Sequence, residues 1–151
     1  MSWTQQVGQL WRGLVFSGNI VYTTYPTAVA PLADVTGVTA TADAAGSKYG
    51  AVKTVVAAGP AVAFWLCAVS VNTASAADQY QVAVTLGAAD ALAWESGIMD
   101  LTAVTANVPP IWLPRPIRSV ASAKIGAKIA CLDAIARTLN VSVTVGTGFG
   151  T

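Results

Sequence analysis

Apolar and polar residues alternate along much of the chain, and this two-residue period is typical of strands that bury one face. The pattern is clearest in residues 140–145, where every second residue is valine. Residues 124–131 place both lysines on one face and isoleucine, alanine and cysteine on the other. Residues 78–86 alternate in the same way. These three segments predict half-buried β-strands.

Further strands are predicted at residues 14–22, 35–41, 51–57, 61–71, 98–106 and 111–118. Clusters of glycine, proline, asparagine and aspartate separate most of them and supply turn chemistry. About eight or nine short strands favour a two-sheet sandwich or a barrel. Helical spacing is limited to residues 4–11 and 133–139, each long enough for one or two turns only. Neither segment changes the predicted all-β class.

The domain organisation follows from length and local pattern. A chain of 151 residues is long enough for one domain with a substantial core. Residues 23–50 alternate weakly, so they are interpreted as a long arm or loop beside the first strands. We therefore predict an amino-terminal arm and first strands over residues 1–50, and the sandwich core over residues 51–151.

Ten residues are predicted to lie buried between the two sheets. They are Trp65, Cys67, Val69, Val82, Val84, Ile125, Ile129, Val141, Val143 and Val145. The two cysteines, Cys67 and Cys131, fall in apolar strand segments, and we expect buried free thiols in preference to a bridge.

The low content of charged residues indicates that the chain has binding partners. Hydrophobic residues make up 54% of the chain, charged residues 10%, and the net charge is +1. Soluble domains usually carry about 25% charged residues, so the surface is expected to be unusually apolar and partly covered by neighbours. We expect a homo-oligomer or a member of a larger assembly.

Membrane insertion and secretion are not expected. The longest apolar run, residues 61–69, has strand length, whereas a spanning helix needs about 20 apolar residues. The first residues lack the basic start and long apolar segment of a secretory signal. Synthesis in a cytoplasm is the expectation.

Residues suited to catalysis or metal binding are scarce. The chain has no histidine, the commonest general base and metal ligand. Its seven acidic residues are scattered singly, mostly beside turns. The glycine-rich end, residues 146–150, lacks the lysine and following helix of a phosphate loop. We predict no enzyme, no catalytic residue, no metal and no cofactor. With Arg115 and Arg118 as the only basic cluster, no nucleic-acid partner is expected either.

Aromatic residues are the remaining candidates for function. Trp3 and Trp11 lie in an amino-terminal segment that is too apolar for a disordered tail. We predict that this segment, residues 1–16, reaches a neighbouring subunit, with burial on the chain's own sandwich as the alternative. Trp94 falls in a turn-like segment, residues 93–97. The predicted interface residues are Trp3, Val7, Leu10, Trp11, Arg12, Trp112 and Arg115.

Residues 109–118 hold four prolines in a strand-like run, and the alternating residues 122–129 follow. Prolines forbid a central position in a sheet, so this segment is predicted to be an edge strand or a crossing between sheets. This order of a proline-bracketed strand, a basic residue, a short turn and an alternating strand resembles that in small structural proteins of tailed bacteriophage virions, over roughly residues 59–146. The resemblance implies a jelly-roll-like β-sandwich of about eight antiparallel strands with an amino-terminal arm.

The same resemblance implies a function. It suggests a virion component made in the host cytoplasm, such as a capsid decoration or cement protein or a neck or tail component, bound to the major capsid protein or another virion protein. The alternative is a module that binds a host-surface glycan. In that case the Trp94–Glu95 and Trp112–Arg115 neighbourhoods are the candidate sugar sites, because exposed aromatics beside polar groups suit sugars.

Overall fold

The computed structural model describes residues 20–27, 37–101 and 109–148. These residues form ten strands and no helix. In chain order the strands are β1 (Val21–Tyr25), β2 (Val38–Thr41), β3 (Lys53–Val56), β4 (Phe64–Ala74), β5 (Asp78–Leu86), β6 (Ala91–Glu95), β7 (Met99–Leu101), β8 (Ile111–Ser119), β9 (Ile125–Cys131) and β10 (Thr138–Thr147).

The strands form two antiparallel sheets. Sheet A has the order β1-β10-β4-β8, and β2 also pairs with β10. Sheet B has the order β3-β9-β5-β6, and β7 also pairs with β5. In sheet A, β1 and β2 lie end to end along one edge of β10, because they pair with its second and first halves respectively. The prediction of an all-β sandwich of antiparallel strands is confirmed.

The pairing is nested. The first strands pair with the last (β1 and β2 with β10), β3 pairs with β9, β4 with β8, and β5 with β6 and β7. Strands that are far apart in sequence are therefore neighbours in the sheets, and consecutive partners alternate between the two sheets.

The core lies between the sheets and consists of the inward-facing residues of each period-2 strand. In β10 these are Leu139, Val141, Val143 and Val145, all fully buried. Eight of the ten predicted core residues are confirmed. They are Val69, Val82, Val84, Ile125, Ile129, Val141, Val143 and Val145.

The prediction for Trp65 was wrong, and a β-bulge is the reason. The register of β4 shifts between Leu66 and Ala68 against both of its partner strands. Phe64 and Leu66 face the core before the shift, whereas Val69 faces it afterwards. Trp65 therefore lies on the outer face, half-buried. An extra residue in one strand changes the phase of the alternation, so no single period fits this strand.

Cys67 occupies the bulge itself. It is buried, as predicted, but it does not belong to the core cluster between the sheets. Cys131 does belong to that cluster, on β9. Both cysteines are free, and they lie in different sheets.

Several predicted boundaries need correction. The turn-like segment around Trp94 is instead strand β6, which pairs with β5 and turns Trp94 toward the core. Residues 133–139 contain no helix, and Thr138 already begins β10. The strand predicted at residues 35–41 is present as β2, whereas residues 23–25, interpreted as arm or loop, belong to β1. The predicted helix at residues 4–11 and the interface segment at residues 1–16 lie outside the described residues.

β8 is an edge strand, as its prolines predict. Trp112 pairs with Ala68, and Ile117 pairs with Leu66. The four residues between Trp112 and Ile117, which include Pro114 and Pro116, thus stand opposite a single residue of β4. Proline is tolerated here because an edge strand has one side free of ladder hydrogen bonds.

Candidate functional site

Only two of the predicted site residues fall within the described residues. Trp112 and Arg115 both lie on β8, and both are exposed. Trp3, Val7, Leu10, Trp11 and Arg12 lie outside the described residues, so the predicted amino-terminal interface stays a prediction.

Trp112 lies beside a second exposed aromatic residue that the sequence analysis did not single out. The ring centroids of Trp112 and Tyr22 are 5.7 Å apart, and the ring planes are 88° apart. Trp112 is 57% exposed and Tyr22 is 52% exposed. Because the two ring planes are perpendicular, the exposed parts of the rings lie at about a right angle to each other, and we call this pair the aromatic corner.

The sheet explains how two rings from opposite edges come together. Tyr22 lies on β1 and Trp112 on β8, with β10 and β4 between them. The residue of β10 opposite Tyr22 is Gly146, and the residue of β4 opposite Trp112 is Ala68. These small residues leave the space above the two central strands free for the rings.

Trp65 and Arg118 continue the aromatic surface along the same face. They are direct cross-strand partners on β4 and β8. The guanidinium carbon of Arg118 lies 5.7 Å from the centre of the Trp65 ring, within the range of a cation–π contact. We call the four residues Tyr22, Trp65, Trp112 and Arg118 the aromatic face of sheet A.

Hydroxyl groups border the aromatic face. The Oγ1 atoms of Thr24 and Thr144 form a hydrogen bond of 2.9 Å, and Thr144 is also the cross-strand partner of Ala68. Toward the other end of β10, Thr39 Oγ1 donates to Asn140 Oδ1 at 2.8 Å. The outer face of sheet A thus combines exposed aromatic rings with uncharged polar groups.

Charge on the two sheets is distributed unequally. None of the five strands of sheet A contains an aspartate or glutamate, and their charged residues are Arg115 and Arg118. The strands of sheet B contain both signs of charge. Within the described part of the chain, ion pairs join Lys124 to Asp90 and Arg137 to Asp133. Neither arginine of sheet A is paired with a carboxylate there, so the charged side chains of these strands are both positive and carry no ion pair within the described ranges.

A second surface is the apolar end of the sandwich, where the β3–β4, β5–β6 and β8–β9 connections meet. The Ser122 amide donates to Pro60 O at 2.7 Å, and the Gly59 amide donates to Ala123 O at 2.9 Å. These bonds hold two of the connections together. Beside them is a shallow depression of about 520 Å³. It is lined by Ala63, Leu86, Gly87, Arg118, Ser119, Val120 and Ala123.

Three large apolar side chains in or beside the connections are exposed to solvent, and one of them, Val120, lines the depression. Val120 is 72% exposed, and Val62 and Leu92 are each more than half exposed. Each lies in or beside one of the three connections. Single exposed apolar residues are ordinary, whereas a group of them around a concave surface is typical of an interaction site.

On the outer face of sheet B, Tyr49 packs between two charged residues. The ammonium of Lys128 lies 4.8 Å from the centre of the Tyr49 ring. The hydroxyl of Tyr49 is enclosed, and no group in the described ranges is in hydrogen-bond geometry with it. Burial first, and then the negative charge of nearby Glu95 and the approach of its carboxylate to the hydroxyl, raise the pKa of Tyr49 to about 12.

Both cysteine thiols donate hydrogen bonds to backbone carbonyl groups. Cys67 Sγ donates to Trp65 O at 3.3 Å, and Cys131 Sγ donates to Asp133 O at 3.4 Å. Burial raises the pKa of both thiols, which disfavours the reactive thiolate.

The described ranges contain neither a cluster of metal ligands nor a membrane-spanning helix. No three His, Cys, Asp or Glu side chains lie together there in a group suited to a metal ion. No helix in those ranges has the length and apolar character needed to cross a membrane.

Comparison of the chain with protein-family models, with curated protein sequences and with solved structures finds no match. Trp112 was predicted from its exposed aromatic character, whereas its neighbours Tyr22, Trp65 and Arg118 were not. No local signal identifies Tyr22 as a partner of Trp112, because only the strand order of sheet A brings them together.

Proposed function

We propose that this chain is a virion structural subunit, a capsid decoration or cement protein or another virion-surface component. It binds neighbouring virion proteins and assembles as a homo-oligomer. The observation that carries the proposal is the apolar end, where Val120 is exposed in the lining of a depression and Val62 and Leu92 are exposed in or beside the neighbouring connections. In a chain with only 10% charged residues, such a surface suits permanent burial against a neighbour.

The nested strand pairing supports the proposal. A long antiparallel ribbon that is rolled so that successive pairs alternate between two sheets is a jelly roll, and we infer that fold class here. Jelly rolls occur in viral capsid proteins and in lectins. Fold alone does not assign function, so the surface chemistry carries the choice between these roles.

The proposal is tested by counting copies in purified particles from cells that produce the chain. Quantitative mass spectrometry should find the protein in a fixed, high ratio to the major capsid protein. Val120→Asp should lower that ratio strongly, because it places a charge in the proposed interface. Stability should change by less than about 0.5 kcal/mol, since Val120 is a surface residue.

Ile135→Asp is the matched control. Ile135 is also an exposed branched residue, and it lies between β9 and β10, at the opposite end of β9 from the apolar end. Its replacement should leave the copy number unchanged. Equal copy numbers for all three proteins, or absence of the chain from particles, would contradict a structural role at this surface.

A second function is favoured by the aromatic corner. We propose as the alternative that the chain is a glycan-binding module of a phage particle, with Trp112 and Tyr22 as the sugar platform. Sugar rings present apolar C–H faces that pack against the electron-rich face of an aromatic ring. A host-binding module is needed in few copies per particle, so the copy number separates the two proposals.

A further inference from the structure

We propose that the aromatic face of sheet A binds an acidic saccharide, a pyranose that carries a carboxylate. The sugar ring packs in the corner between Trp112 and Tyr22, and the carboxylate interacts with the arginines of β8. This inference depends on the alternative function above, and it adds the chemical class of the ligand.

The shape of the corner favours a sugar ring over a flat partner. Two rings at 88° offer surfaces on two sides of a ligand, which suits a compact molecule with one apolar face and a polar rim. Each ring is about half exposed, so area remains to be buried. The hydroxyls of Thr24 and Thr144 lie in the same cross-strand row as Ala68 and Trp112, where sugar hydroxyls can hydrogen-bond to them.

The charge of sheet A determines the class of sugar. Arg115 and Arg118 are the charged residues of its strands, and in the described part of the chain no carboxylate pairs with either. Arginine presents a planar set of donors that matches a carboxylate in a bidentate manner. The strands of this sheet contain no acidic residue, so a neutral sugar would form no ion pair with either arginine, whereas a carboxylate would.

The spacing along β8 is compatible with one sugar residue. The β4 partners of Trp112 and Arg118 are Ala68 and Trp65. Three residues along a strand span roughly 7–10 Å. An arginine side chain is long enough to cover much of this distance, so the carboxylate of a sugar in the corner is within reach of the Arg118 guanidinium.

The test uses the full chain and matched pairs of ligands in isothermal titration calorimetry. The acidic probes are trigalacturonic acid and sialyllactose, and their neutral counterparts are the methyl esters of the same two saccharides. We expect at least one acidic probe to bind, and its neutral counterpart to bind more weakly by about tenfold or more. Added salt should weaken binding of the acid and not of the neutral form.

Two variants locate the site. Trp112→Ala should abolish measurable binding, whereas the double variant Arg115→Gln/Arg118→Gln should bind the acidic and neutral forms equally. The matched control is Lys48→Gln/Lys53→Gln, which removes the same charge from exposed residues outside sheet A and should leave binding unchanged. Circular dichroism and thermal unfolding verify that each variant is folded.

The outcomes separate this inference from the function on which it depends. Equal binding of acidic and neutral forms by the unmodified chain would support a glycan module and overturn the acidic specificity. Failure of all four probes to bind would overturn both. Binding that survives in Trp112→Ala would place the site elsewhere. Loss of attachment to particles in Trp112→Ala, with no saccharide binding by the unmodified chain, would make the aromatic face a protein interface.

Discussion

At the residue scale, Val143 shows how the inward-facing residues of β10 stabilise the fold by burial in the core. It is fully buried, and its cross-strand partners are Tyr25 on β1 and Val69 on β4. Val143→Asp would place a carboxylate in the core without a partner, at a cost of several kcal/mol. Urea denaturation should show this loss. Asn140→Asp, on the opposite face of the same strand, should change stability by less than about 0.5 kcal/mol, and equal effects of the two variants would contradict the assignment of faces.

Tyr49 gives a prediction for alkaline pH. Its pKa is raised to about 12 in the folded chain, whereas an unperturbed tyrosine titrates near 10. Between these values the unfolded chain has lost the phenolic proton and the folded chain has kept it. The stability that this proton provides is therefore present below pH ~10 and is lost as the pH rises toward ~12.

The measurement is the free energy of unfolding at neutral pH and at alkaline pH. Tyr49→Phe should lose less stability than the unmodified chain over the alkaline interval. At neutral pH this variant should change stability by less than about 1 kcal/mol, because the enclosed hydroxyl that it removes lies near the Glu95 carboxylate but makes no hydrogen bond of good geometry with a described residue. Identical pH profiles for the two proteins would show that Tyr49 does not titrate as described.

At the element scale, Gly50 lies in the segment that precedes β3 and contacts one strand of each sheet. Its amide donates to Ile129 O on β9 at 3.0 Å, and a Cβ at this position would overlap the carbonyl oxygen of Thr41 on β2. A backbone atom cannot escape by changing rotamer, so Gly50→Ala should destabilise the chain by about 1–3 kcal/mol. Gly97→Ala is the control, because a Cβ there would meet nothing within 4 Å. Thermal unfolding midpoints that fall equally for both would contradict the close approach.

The strands also show where sequence patterns succeed. β5 was predicted at residues 78–86 and has those bounds, because its period is unbroken. β4 was located correctly but assigned the wrong face at Trp65, since a bulge interrupts its period. β6 was interpreted as a turn because Ser96 and Gly97 follow it directly. Pairing with β5 outweighs that local signal, and the Ser96 hydroxyl accepts a hydrogen bond from the Val82 amide at 2.9 Å.

At the scale of the whole molecule, the amino-terminal segment gives the last prediction. Deleting residues 1–11 should leave a folded β-domain, because the two sheets are built from residues 21–147. The truncated chain should no longer assemble, since it lacks Trp3 and Trp11. Circular dichroism reports the fold and sedimentation velocity reports the oligomer. A full-length Trp3→Ser/Trp11→Ser variant should behave in the same way, whereas a truncated chain that unfolds would show that the segment belongs to its own core.

The sequence by itself determined the all-β class, the inward faces of β5, β9 and β10, and the edge position of β8. Each of these depends on local properties, namely a two-residue period or the missing amide of proline. Only the tertiary structure decided the phase of β4 and the aromatic corner, because both require pairing between distant segments. Trp112 has an aromatic neighbour in Tyr22 only because β1, β10, β4 and β8 are neighbours in sheet A, and no local pattern specifies that order.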